Sequence, residues 1–211
     1  MALRKAGSGQ EDRAPAEIST LETLLVDLKS PEAQVRRRAI LQMDRYPESS
    51  DTLLDLVENS DDRLTEQDGS VREAIFTTLV AQKNDSVLPR LVRLLSSEDA
   101  NLRNEAVVAM QSMPDRLGEY IEPLLRHPDS DVRILTINIL EGLCDDRTPA
   151  WLYEIVQHDP HINVCATALD LLGELGQEHM IPAILALPTR FNNDVYLGFT
   201  ADVAVRRILG K

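Results

Sequence analysis

The residues best placed to do chemistry are His158, His161 and Cys165. If a helix starts near Pro160, His161 and Cys165 stand one turn apart on one face, with His158 in the turn before it. Cys144 could approach from the end of the preceding helix. Imidazole and thiolate together suit zinc or another borderline metal. The competing reading makes both histidines turn residues and packs Cys165 into a core. No second ligand cluster supports the metal, so none is expected. A Gly-rich phosphate loop, His-Glu-x-x-His, Gly-x-Ser-x-Gly and Cys-x-x-Cys are all missing from the sequence. Neither a catalytic residue nor a cofactor is therefore expected, and the chain does not read as an enzyme.

Charge supplies the next candidates. Between positions 48 and 68 stand Glu48, Asp51, Asp55, Glu58, Asp61, Asp62, Glu66 and Asp68, against the single base Arg63. Such a run reads as solvated surface, or as a field that steers a basic partner. It lacks the alternating acids and Gly of a calcium loop. Arg36, Arg37, Arg38 and Arg45 make the one local basic cluster, read as a solvated end or a docking point for an acidic segment. With 22 basic against 35 acidic side chains and a net charge of −13, binding to phosphate backbones is not expected.

These residues are positioned by a repeat. Its copies are Pro31–Ala39, Asp68–Ile75, Asp99–Ala106 and Asp129–Thr136, with degenerate copies at Asp159–Ala168 and Asn193–Phe199. The anchoring aliphatics Val35, Val71, Leu102, Val132, Val164 and Val195 are spaced by 36, 31, 30, 32 and 31 residues. A fixed period of this size means stacked supersecondary units. Each anchor opens a helix: Leu102, Ala106, Val107, Ala109 and Met110 form an apolar stripe, as do Val164, Ala168, Leu169, Leu171 and Leu172. Asp, Ser or Asn ahead of each anchor can cap the first turn. Shorter helices are expected before them, over Leu21–Leu28, Thr52–Glu58, Val87–Leu95, Gly118–Arg126, Ala150–Gln157 and His179–Leu187. Pro89, Pro123 and Pro182 start or bend three of these.

The expected architecture is all-α: an α-solenoid of about six antiparallel helix pairs. Residues 1–18 read as a flexible tail and 19–211 as a single solenoid domain, with a polar insertion around 59–67. The apolar runs are too short to span a membrane. No apolar stretch follows Arg4 and Lys5, so a secretory signal is not expected. Two cysteines make no disulfide framework, and a cytoplasmic location is expected.

The stretch Leu88-Pro-Arg-Leu-Val-Arg-Leu-Leu-Ser-Ser-Glu-Asp-Ala-Asn-Leu-Arg-Asn-Glu-Ala106 resembles the HEAT-repeat pattern, a proline-bearing first helix, an acidic turn, then Val-Arg-x-x-Ala. The short period resembles the bacterial HEAT-like class typified by phycobilisome lyase subunits. The likeness covers roughly residues 20–210, although the last two copies replace the Arg with Cys165 and Tyr196. It implies a superhelix that acts as a scaffold or adaptor. Tetrapyrrole attachment, as enzyme or chaperone, is the main alternative it implies, and glycosylase-type nucleic-acid binding a further one. HEAT-like iron hydroxylases use His-Glu pairs, whereas this chain has only Glu178-His179, in reverse order. The series Arg36, Arg72, Arg103 and Arg133 is expected to pair with the acidic turns of adjacent repeats, with Asp68, Asp99 and Asp129 as acceptors.

A solenoid exposes a concave face lined by its second helices. The non-core offsets there are Arg37, Arg38, Glu73, Thr77, Asn104, Glu105, Asn138, Glu141, Thr167, Asp170 and Glu174. They run from basic through neutral to acidic. These are the expected partner-binding residues, and the expected partner is another protein, with a basic segment as the complementary feature. Neither nucleic acid nor membrane is expected as a partner.

Overall fold

A computed structural model describes residues 19–58 and 66–210. The tail expected over 1–18, and most of the insertion around 59–67, lie outside the described residues. Twelve α-helices, and no strands, occur among the described residues. In chain order they are α1 (Leu21–Asp27), α2 (Ala33–Gln42), α3 (Ser50–Glu58), α4 (Gly69–Gln82), α5 (Val87–Leu94) and α6 (Ala100–Gln111). Then come α7 (Gly118–Leu125), α8 (Ser130–Glu141), α9 (Thr148–His158), α10 (Ile162–Leu175), α11 (Ile181–Arg190) and α12 (Val195–Ile208). No helix is long and apolar enough to cross a membrane.

Aspartates start α4, α6, α8 and α12. Asp68 accepts from the backbone N–H of Ser70 and Val71, Asp99 from Asn101 and Leu102, Asp129 from Asp131, and Asp194 from Leu197. These groups would otherwise be orphaned in the first turn. From Asp68 or Asp99 the buried anchor lies three residues on, at Val71 or Leu102. The last repeat obeys the same register, which corrects the expected anchor: Val195 is 86% exposed, while Leu197 is fully buried. Two prolines are accommodated where their missing N–H costs least, whereas Pro123 and Pro188 stand inside α7 and α11. Pro149 and Pro182 sit in the first turns of α9 and α11, so α9 starts two residues earlier than expected. A short 3-10 turn, Glu178–Met180, takes up the beginning of the segment expected to start α11.

The even-numbered helices pack on one another in series, and each also packs on the helix before it. The odd-numbered helices form a second, looser row. Buried side chains from Leu24 to Ala204 make one continuous apolar cluster. Each fully buried leucine or isoleucine contributes about 1.5–3 kcal/mol relative to exposure. Gly173 lets α10 approach α12: a Cβ there would stand 3.2 Å from the Cα of Ala204. One buried amide joins the first repeats to the next. Gln82 donates to the carbonyls of Met43 and Tyr46 and to Ser49 Oγ, and accepts from Ser50 Oγ at 2.6 Å.

The arginine series does join repeats, but largely through acceptors other than those expected. Arg36 holds Glu66 through two N–H groups at 2.7 and 2.9 Å. Arg72 meets Asp99 at 3.3 Å and Glu105 at 2.7 Å. Arg133 forms a bidentate pair with Asp159 at 2.8 and 3.1 Å. The carboxylates of Asp68 and Asp129 bond to their own helix starts, whereas Asp99 both caps α6 and accepts from Arg72. Arg103 donates instead to the carbonyls of Ser97 and Glu98. Arg36, Arg103 and Arg133 share this second action, each hooking the carbonyls six and five residues upstream.

Candidate partner-binding face

The even-numbered helices carry two grooves. The first lies between α4 and α6, has a volume of about 500 Å³, and brings together Glu73, Thr77, Asn104 and Glu105 from the expected set. Its floor is apolar: Phe76, Val80, Val108 and Ala109. Val108 is 62% exposed. These four were not among the residues read from the sequence as partner-binding: Phe76 and Ala109 stand at offsets counted as core, whereas Val80 and Val108 stand at the non-core offsets of Glu141 and Thr77 but are apolar. The signal that could have found Val108 is its offset of six from Leu102, which matches that of Thr77 from Val71 and points away from the buried stripe.

A second groove of about 230 Å³ gathers Asn138, Glu141, Thr167, Asp170 and Glu174, with Leu171 and Arg207 beside them. Arg37 and Arg38 line neither groove; Arg37 is half-buried and Arg38 exposed on α2. Glu105 is partly committed within the chain, since Arg72 donates to it twice. Burial works against the Arg72 charge, but Glu105 and Asp99 outweigh it and raise its pKa. Glu174 meets Arg207 only at 3.8 Å between exposed side chains. Glu73, Glu141 and Asp170 make no ion pair among the described residues, so their charge faces outward. The even face thus offers one apolar seat followed by a row of open carboxylates.

The acidic run is less open than the sequence implied. Asp51, Asp55 and Glu58 lie on one face of α3, and Arg90 of α5 meets all three at 3.3, 2.7 and 2.7 Å. Glu66 is held by Arg36, and Asp68 caps α4. Asp61, Asp62 and Arg63 lie outside the described residues.

The histidine–cysteine constellation does not gather. His158 is exposed at the end of α9, and His161 is the N-cap of α10, with its Nδ1 buried and without a partner. Cys165 is fully buried, its thiol donating to the carbonyls of Asp159 at 3.4 Å and Ile155 at 3.8 Å. Burial pushes that thiol up to about 11; Asp159 adds to the rise and Arg190 opposes it. Cys144 is exposed. Among the described residues no three His, Cys, Asp or Glu side chains are placed to hold a metal.

Fold and face together define a helical-repeat α-solenoid with grooves along its even-numbered helices. No family model and no curated protein matches the chain. Among solved structures it is similar to the complex of CpcE and CpcF of phycocyanin lyase from Nostoc sp. PCC7120, at 16% identity and a TM-score of 0.36, over 98% of this chain and 99% of that one. It is also similar to a designed armadillo repeat protein, at 14% identity and a TM-score of 0.38, over 90% of this chain and 100% of that one. An engineered protein matches at 18% identity and a TM-score of 0.42, over 92% of this chain and 100% of that one. These likenesses concern the helical-repeat fold, and activity must be argued from this chain's own side chains.

Proposed function

We propose that the chain is a non-catalytic scaffold that holds a partner polypeptide on the face formed by α4, α6, α8 and α10. The observation that carries this reading is the α4–α6 groove, where the exposed Val108 and the floor residues Phe76 and Val80 lie beside the open carboxylate of Glu73. An apolar seat in a wall built from packed helices is preorganised, so little ordering free energy is lost on binding. The carboxylates Glu141 and Asp170 farther along favour a segment carrying Lys or Arg. The mechanism is complementarity of shape and charge, with no bond made or broken.

The test is capture of a partner from the cells that express the protein, followed by affinity measurement on the purified pair. Val108→Asp is expected to raise Kd at least tenfold, in line with loss of a central apolar anchor of about 1.4 kcal/mol or more. The charge reversal Glu141→Lys/Asp170→Lys is expected to weaken binding and reduce its salt dependence. Gln157→Lys, on the opposite row, should leave Kd unchanged. Equal affinity for all three variants would remove this face from consideration. Mixing the protein with a bilin should leave the pigment's absorption band in place; a shifted band would favour tetrapyrrole attachment instead.

A further inference from the structure

Thr77, Val108, Asn138 and Asp170 occupy the same place in four successive repeats, each six residues after a buried anchor: Val71, Leu102, Val132 or Val164. Because α4, α6, α8 and α10 pack in series, these side chains form a row that crosses the helices rather than following any one of them. Thr77 and Val108 line the first groove, Asn138 and Asp170 the second. The row therefore reads hydroxyl, aliphatic, amide, carboxylate, one chemical group per repeat. Thr77, Val108 and Asp170 are exposed and Asn138 is half-buried. The main-chain carbonyl of Asn138 accepts from Gln111 Nε2 at 2.8 Å, while its side-chain amide makes no hydrogen bond among the described residues. Glu141 and Glu174 line the same groove as Asp170, so a cation entering there meets three carboxylates. Of these, Glu174 has Arg207 beside it, at 3.8 Å.

Taking this face as the partner-binding one, the row selects the conformation of its occupant. A helix laid across it would present a stripe of apolar side chains and a main chain already bonded to itself. Such a helix needs repeated apolar seats, and the row supplies one in four. An extended segment instead carries open main-chain N–H and C=O groups, and a side-chain amide can donate to one and accept from the other. Asn138 stands where that segment would pass between Val108 and Asp170. Packed helices stand about 8–10 Å apart, so the two steps from Val108 to Asp170 span about 16–20 Å. At about 3.3 Å per residue this is about five or six residues of extended chain, whereas a helix needs about eleven to thirteen. Side chains alternate along an extended chain, so two that face one wall are an even number apart, and the spacing is about six. We infer that the face holds an extended polypeptide segment, with a large apolar residue seated against Val108 and a Lys or Arg about six residues away at Asp170. Between these anchors its main chain is tied by the Asn138 amide.

The test presents the full chain to a phage-displayed library of random dodecapeptides, and titrates the enriched peptides, made synthetically, by fluorescence polarisation. Enriched peptides are expected to share a Leu, Phe or Trp with a Lys or Arg about six positions away. Val108→Asp and Asp170→Lys should each raise Kd at least tenfold. Asn138→Ala keeps the carbonyl that Gln111 uses, and should raise Kd at least threefold with the helical circular dichroism unchanged. N-methylating the peptide amides between the anchors, one at a time, should find a position that weakens binding to the native protein more than to Asn138→Ala. Anchors about eleven positions apart in a bound peptide that is helical overturn the extended segment and leave the face itself standing. Undiminished binding by Asn138→Ala overturns it as well. Affinity untouched by Val108→Asp removes the face, and the scaffold reading with it. Failure of any dodecapeptide to enrich overturns the inference, and capture of the cellular partner then decides the scaffold reading separately.

Discussion

Arg190 donates through Nη2 to the main-chain carbonyl of Asp159 at 2.6 Å. That carbonyl lies six residues before Cys165, where the corresponding arginines of earlier repeats hook their own turns. Position 165 carries a thiol instead, and the following repeat supplies the missing guanidinium from the end of α11. Arg190 also donates to the carbonyl of Val156, so it closes the end of α9 as well. The turn keeps its cation, but the cation now ties two repeats together.

Arg190→Ala should therefore loosen the C-terminal repeats more than its surface position suggests. Hydrogen bonds from a charged donor are worth about 1.5–3 kcal/mol each in net terms. A loss of about 2 kcal/mol in urea unfolding is expected, with faster amide exchange in α11 and α12 than in α4 and α6. Uniform exchange across the chain would show that the contact is incidental.

The Arg133–Asp159 pair is buried on both sides, with side-chain exposures of 10% and 6%. Removing one partner leaves an uncompensated charge in the interior, at a cost of about 3–5 kcal/mol. Asp159→Ala should show that loss in chemical denaturation. Arg133→Met combined with Asp159→Leu should recover much of it, because packed apolar groups need no counter-ion. A double variant no better than the single one would mean that the pair fixes geometry that side-chain volume cannot replace.

Acid should unfold the protein partly through Glu66. Burial pushes its carboxyl up, but the Arg36 guanidinium and the backbone N–H of Asp68 outweigh it and hold it below its ordinary value of 4.5. A folded pKa below the unfolded one means that the folded state binds protons less readily. The stabilisation is thus complete above 4.5 and disappears as pH falls through the lowered folded value. Glu66→Gln should lower stability at neutral pH and flatten the acid limb of the stability curve. An unchanged limb would assign acid unfolding to the lowered cap aspartates Asp68 and Asp99 instead.

The two thiols should react at very different rates. Cys144 is exposed, whereas Cys165 is fully buried with its thiol pushed up to about 11. Thiolate is the reactive form, and both inaccessibility and a raised pKa suppress it. One equivalent of a chromogenic disulfide reagent should react quickly with the native protein, and the second only after unfolding. Two fast equivalents would show that the α9–α10 junction opens readily.

Much of the architecture is written locally. Helix periodicity depends on offsets of three and four residues, and capping on an aspartate three residues before an anchor, so both can be read along the chain. The repeat period, the twelve helices and most of the buried stripe follow from those short-range rules. So does the even-numbered row on which Glu73, Asn104, Glu141 and Asp170 stand. Even the misread anchor at Val195 is recoverable, because counting three residues from Asp194 leads to Leu197.

Only the tertiary structure decided which charges meet. Arg36 with Glu66, Arg90 with the α3 acids, and Arg190 with the turn before Cys165 all span about one repeat length. Several acceptors compete for each guanidinium, carboxylates for Arg36 and Arg90 and a main-chain carbonyl for Arg190, and the packing of one repeat on the next settles which one lies within 3 Å or so. The apolar floor at Val108 has the same origin. Val108 stands away from the buried stripe of α6, and only the packing of α4 beside it turns that exposed side chain into part of a groove.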